Sequence, residues 1–246
     1  MLSYPRIVGP MVLATTNTIL VTSRRAATLL VATLCLQGGV LQAAETAKQP
    51  AMPAMAPAGQ YHLEKAHASL VLRVSHLGFS TYTTRFSRFE AELAFDPGNI
   101  AASKVRTTID ASSFEMDAAP QACLDIVKGP QLLDTAKFPQ IVFQSDRVEM
   151  TGAKSMRILG TLTLHGVKRP ITLTATFNGG YPGMPNMDPQ ARVGFSAHGS
   201  FKRSEFGMGF GVPAPGTTMG VGDVIDFSIE AEFTGPPLPV APESAH

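Results

Sequence analysis

The chain has 246 residues, 44% of them hydrophobic, and a formal net charge of +1. That is enough for one well-cored domain, and a balance so close to neutral offers no electrostatic footprint for nucleic acid. All 14 phenylalanines fall between Phe79 and Phe233, so the segments outside that span have little to pack with.

The N-terminal region, residues 1–44, reads as an export signal. Arg24 and Arg25 supply a positive flank, Ala26 to Leu36 form an apolar run too short to span a bilayer, and Ala43-Ala44 offer small residues for cleavage. The expected mature protein starts near Glu45 and is periplasmic. Whether residues 1–22 extend the signal or translation starts at Met11 stays open. Lipidation at Cys35 is set aside because bulky Leu34 precedes it. The Ala/Pro/Met-rich stretch 45–60 has too few large apolar groups to fold and reads as a flexible linker, and the Pro-rich residues 236–246 read as a tail.

Between them, residues 61–235 alternate apolar and polar side chains with a period of two, most cleanly where Ile225, Phe227, Ile229, Ala231 and Phe233 interleave with Asp226, Ser228, Glu230 and Glu232. The pattern predicts strands at 61–64, 69–77, 84–95, 103–109, 140–149, 155–165, 170–177, 191–201 and 224–233, with a hairpin turn at Gly166 to Lys168. The exception is 118–135, where Leu124, Val127 and Leu132 are spaced as in a short helix, expected to cap one end. Recurrent alternation with little helix implies an all-β fold, one closed or nearly closed antiparallel sheet, and a closed sheet has an inside.

Catalytic patterns are sparse. His62, His67, His76, His165 and His198 are scattered, and neither a metal-binding cluster nor a nucleophile elbow is visible. Cys123 is the only thiol once Cys35 leaves with the signal, and it reads as a small buried apolar residue. The glycines from Gly207 to Gly222 open no helix and carry no phosphate-loop lysine, so they read as a long flexible hairpin connection.

Four blocks carry a resemblance: SHLGFSTYTTRFSRFEAELAFDP at 75–97, IDASSF at 109–114 with LLDTAKFPQIVFQS at 132–145, GTLTLHGVKRPITL at 160–173, and FKRSEFGM at 201–208. In this order and spacing the chain resembles the YceI-like family of secreted bacterial lipid-binding proteins. The resemblance covers nearly all of 61–234. It implies an eight-stranded antiparallel lipocalin-like β-barrel with one short helix around a polyisoprenoid or isoprenoid-quinone ligand, with no other cofactor required. The chain departs from the family pattern in two places: Thr84 stands where a glycine is usual, and Cys123, Leu124 and Ile126 stand where an Arg-Asp pair and a histidine are usual.

On that reading the inward faces nominate Leu72, Val74, Phe86, Leu93, Phe95, Phe143, Leu162, Leu164, Leu173, Phe195 and Phe227 as walls of the ligand site. The same faces serve equally well as solid core, and the sequence does not separate the two. His76, Arg203 and Ser204, all within matching blocks, are the expected polar groups at a rim. Arg203 has the alternative role of pinning the Gly-rich connection through a carboxylate. Three function classes follow: a non-enzymatic carrier or store for an isoprenoid lipid, an accessory partner of a membrane redox protein, and an enzyme acting on an isoprenoid, which lacks a visible acid–base pair. A homodimer stays open.

Overall fold

The structure, a computed structural model, describes residues 56–238. The expected signal region 1–44 and the greater part of the expected linker and tail lie outside the described residues. Among the described residues there are ten strands, β1 (Gly59–His76), β2 (Ser80–Phe86), β3 (Phe89–Phe95), β4 (Lys104–Asp110), β5 (Phe114–Met116), β6 (Gln140–Met150), β7 (Ser155–Leu164), β8 (Val167–Tyr181), β9 (Gln190–Lys202) and β10 (Val221–Pro237), and one α-helix, α1 (Gln121–Lys128). The barrel therefore starts two residues before Tyr61, and Pro236 and Pro237 belong to its last strand rather than to a tail.

The pairing order is β10-β9-β8-β7-β6-β4-β3-β1-β2-β5, and β10 pairs back onto β1. β2 and β3 run along successive stretches of β1, and β5 continues β4 alongside β2. Each of those pairs is one stave, so with β10 paired to β1 the sheet closes as an eight-stranded antiparallel barrel.

The breaks within staves have a common cause. Tyr61 and Leu63 face inward at odd positions, whereas Leu70, Leu72 and Val74 face inward at even ones, and the switch is made by a bulge between Leu63 and Ala68 opposite β10. One bulged strand thus replaces the two predicted at 61–64 and 69–77. The next stave switches at Ser87-Arg88, from Thr84 and Phe86 to Ala91, Leu93 and Phe95. Buried Ser113 fills that break: its Oγ accepts from the Arg88 amide at 3.1 Å and donates to the Asp110 carbonyl at 2.7 Å. Asp110 in turn accepts from the Arg88 guanidinium at 2.7 Å and from the Ser112 amide at 2.8 Å. The Ser112 hydroxyl first, then Arg88, hold the Asp110 carboxyl below its ordinary pKa. A carboxylate lowered in the folded state stabilises above its unfolded pKa near 4 and loses that contribution as pH falls through the folded value, so this clasp is indifferent to pH across the neutral range.

The β7–β8 hairpin turns on His165 and Gly166, with φ of 51° and 74°, between the paired Leu164 and Val167. Two positive φ values match a primed hairpin turn, placing it one residue earlier than predicted. Another glycine is required by packing: a Cβ on Gly235 would fall against the ring of Tyr61, which is fully buried and donates to the Pro57 carbonyl at 2.7 Å. Gly235→Val should therefore destabilise the barrel by about 1–3 kcal/mol as an overpacking change, measured by denaturant unfolding.

Candidate functional site

The inward faces do not meet across the barrel. They enclose a cavity of about 950 Å³, lined by all eight staves and almost wholly apolar. Of the residues named from sequence, Leu72, Val74, His76, Phe86, Leu93, Phe95, Phe143, Leu162, Leu164, Leu173, Phe195, Arg203 and Phe227 line it; Ser204 does not.

The strand directions give the cavity two unlike ends. At one, rings stack into a floor: Phe95 lies 5.7 Å from Tyr61, 6.1 Å from Phe177 and 6.1 Å from Phe195, and Phe195 lies 6.2 Å from Phe233. Phe95, Phe195 and Phe233 face the cavity, with fully packed Tyr61 and Phe177 behind them. The other end carries the β1–β2 turn, the 117–139 segment with α1, the β7–β8 turn and the 203–220 connection. This is the mouth.

α1 sits at the mouth, as expected for a capping helix. It starts after Pro120, packs Leu124 and Val127 against the apolar cluster of the upper barrel, and turns Cys123, Ile126 and Val127 toward the cavity. Cys123 is exposed, which corrects the expectation of a buried thiol: a helix lying across an opening has no fully buried face. Polar lining residues lie at both ends, Ser103 and Lys104 beside the floor and His76, Ser80, Tyr82 and Asp117 at the mouth. His76 and Tyr82 rings lie 6.4 Å apart, Tyr82 donates to the Asp117 carbonyl at 3.2 Å, and the Thr84 side chain is buried in the wall below them.

Arg203 is 5% exposed, and its guanidinium is spent on backbone carbonyls. It donates to Gly222 at 2.9 Å, Met208 at 2.7 Å, Phe210 at 2.8 Å and Val221 at 2.8 Å. The Gly-rich connection is thus pinned, by carbonyls rather than by a carboxylate, which corrects both the expected flexible link and the expected carboxylate partner. Burial pushes the Arg203 pKa below its ordinary value, opposed by Asp223. Ser204 faces outward and is held by Asp223, through its amide at 2.9 Å and its hydroxyl at 2.8 Å. Both residues shape the mouth, and Ser204 is remote from the cavity because its own short 3-10 turn points it away.

The sequence blocks that supply walls also supply such clasps. His165 Nδ1 lies 3.0 Å from the Phe206 carbonyl, and Phe138 packs edge-on to His165 at 4.8 Å, tying together the 132–138, 160–173 and 201–208 segments. Sequence reasoning missed Met116, Asp117, Ala118, Met208 and Phe210 as lining residues. They sit on turns and short segments without alternation; the position of the helix between two matching blocks pointed to Met116, Asp117 and Ala118, and the 201–208 block contained Met208.

The YceI-like domain profile matches residues 61–233. Among curated proteins, a UPF0312 protein of Vibrio vulnificus is 32% identical over 186 residues, covering 74% of this chain and 90% of its own length. A UPF0312 protein of Yersinia pestis is 34% identical over 157 residues, covering 62% and 78%. Among solved structures, the Campylobacter jejuni YCEI protein superposes with a TM-score of 0.55 at 25% identity, covering 65% of this chain and 89% of its own. The same fold recurs in a polyisoprenoid binding domain from Saccharophagus degradans, TM-score 0.51 at 15% identity, covering 72% and 98%. With its profile match spanning the whole barrel and relatives aligned over most of their length, the chain belongs to the YceI-like family.

Proposed function

We propose that this protein is a non-enzymatic carrier or store that holds one long-chain isoprenoid lipid, a polyprenyl or isoprenoid-quinone chain, inside its barrel after export to the periplasm. The observation that carries the reading is the cavity: long, apolar, floored by aromatic rings at one end and open at the other. At about 25 Å³ per carbon, the ratio at which a cavity of ~150 Å³ takes benzene, its 950 Å³ admits a chain of roughly 40 carbons. Each carbon-sized apolar group removed from water contributes about 0.8 kcal/mol before ordering costs, so the chain alone supplies ample affinity. The polyisoprenoid-binding description of the Saccharophagus relative points the same way. His76, with Tyr82 beside it, is a candidate polar group to meet a headgroup at the mouth, whereas Arg203 acts by holding the rim.

The test is a titration of delipidated protein with an isoprenoid quinone and with a water-soluble quinone lacking the tail. The long-chain ligand should bind one per chain and the tail-less one should not compete. Equal binding of both would overturn the reading. Cys123→Ser should keep affinity within a factor of about three, because among the described residues the exposed thiol is free and has no hydrogen-bonded base beside it.

A further inference from the structure

The mouth is rimmed by apolar side chains that the barrel does not use. Phe79 is 81% exposed at the tip of the β1–β2 turn, and Met219 is 69% exposed in the 207–220 connection. The two segments are joined by the Leu77 amide, which donates to the Gly220 carbonyl at 2.8 Å, and the connection is closed on itself by the Val221 amide, which donates to the Gly211 carbonyl at 2.8 Å. Phe210, 50% exposed, and Ile126, 46% exposed, belong both to this surface and to the cavity lining. Apolar side chains are therefore present both at the protruding tips and, through Phe210 and Ile126, in the lining of the mouth.

The charge pattern is equally specific. From Gly207 to Gly222 there is no Asp, Glu, Lys, Arg or His, and the same holds from Leu77 to Thr84, in a chain of which 16% is charged. Of the two cations that precede the connection, Arg203 is buried under it on carbonyls and Lys202 is exposed at the end of β9; the tips themselves carry neither. Such tips can leave water without desolvating a charge. They also offer no attraction to anionic headgroups, which argues for a neutral apolar phase rather than an electrostatic partner. Two separate protruding loops around an opening suit a soft surface better than a second rigid copy, whose matching opening would face them with nothing to fill between.

We propose that the mouth docks on the surface of a lipid bilayer, inserting Phe79, Met219 and Phe210 between headgroups so that a chain passes between membrane and cavity without crossing water. The proposal rests on the carrier reading for what is exchanged, and adds the surface at which exchange occurs.

The experiment uses the full chain carrying Cys35→Ser, with an environment-sensitive dye on Cys123 at the mouth. A second protein carries Cys35→Ser, Cys123→Ser and Met187→Cys, with the dye at the opposite end, where Met187 is 80% exposed. Vesicles of zwitterionic phosphatidylcholine should shift the mouth dye to an apolar spectrum and leave the far-end dye aqueous, with little change on adding salt. Phe79→Asp together with Met219→Asp should weaken that shift at least tenfold, about 1.4 kcal/mol of partitioning. Equal shifts at both ends, no shift at the mouth, or undiminished docking by the double variant would overturn the proposal. If docking fails while the purified protein still carries lipid, the docking surface alone is wrong; if the mouth docks but no lipid is ever bound, the carrier reading alone is wrong.

Discussion

Leu162→Trp should yield a folded barrel that no longer retains a long apolar ligand. Leu162 lies on β7 opposite Phe143 of β6, 6% exposed and pointing into the cavity. In a solid core an indole there would force neighbours off their rotamers at about 1–3 kcal/mol. Here the ring has about 950 Å³ of unfilled space to enter. The expected result is thermal stability close to wild type and ligand occupancy reduced at least tenfold, read by titration and by mass spectrometry; the tenfold corresponds to about 1.4 kcal/mol. Unfolding of the variant with ligand retention unchanged in the folded remainder would contradict it.

Arg203→Ala should be the most damaging single change at the mouth. It leaves the carbonyls of Met208, Phe210, Val221 and Gly222 without their donor. Each buried acceptor left unpaired costs about 1–3 kcal/mol, and water reaching the more exposed ones brings the expected total to roughly 3–5 kcal/mol. For a barrel of this size that is a fall of roughly 6 to 20 °C in Tm. Arg203→Lys should recover only part of it, since an ammonium cannot reproduce the guanidinium fork. A change of less than about 2 °C for the alanine variant would show that the connection is held by something else.

These two residues mark what was legible in the sequence. The period-two pattern exposed Leu162 as an inward residue, and it exposed the closed antiparallel barrel as a whole, because alternation reports directly which face is buried. It did not report whether opposite walls touch, since a packed core and a lined cavity need the same inward leucines and phenylalanines. Register switches were similarly hidden: the bulge after Leu63 changes which parity faces inward, so one strand reads as two. Arg203 stood out as a basic residue in a matching block, but its partners are carbonyls five to nineteen residues away, and backbone acceptors leave no trace in side-chain chemistry. Ser204 beside it was indistinguishable until the 3-10 turn at Arg203–Phe206 aimed one residue inward and the other at Asp223. Cys123 was misread because burial was assigned from residue type, whereas α1 rests on an opening and not on a closed core.

The fold and the clasps define a container, and the central claim concerns its content. The most direct measurement is mass spectrometry of lipid extracted from the protein purified, without detergent, from the cell that naturally makes it. The account predicts a long-chain isoprenoid at close to one molecule per chain, with a chain in the range of roughly 40 carbons that the cavity volume allows. Recovery of protein with no extractable lipid, or with a small water-soluble compound in its place, would contradict it.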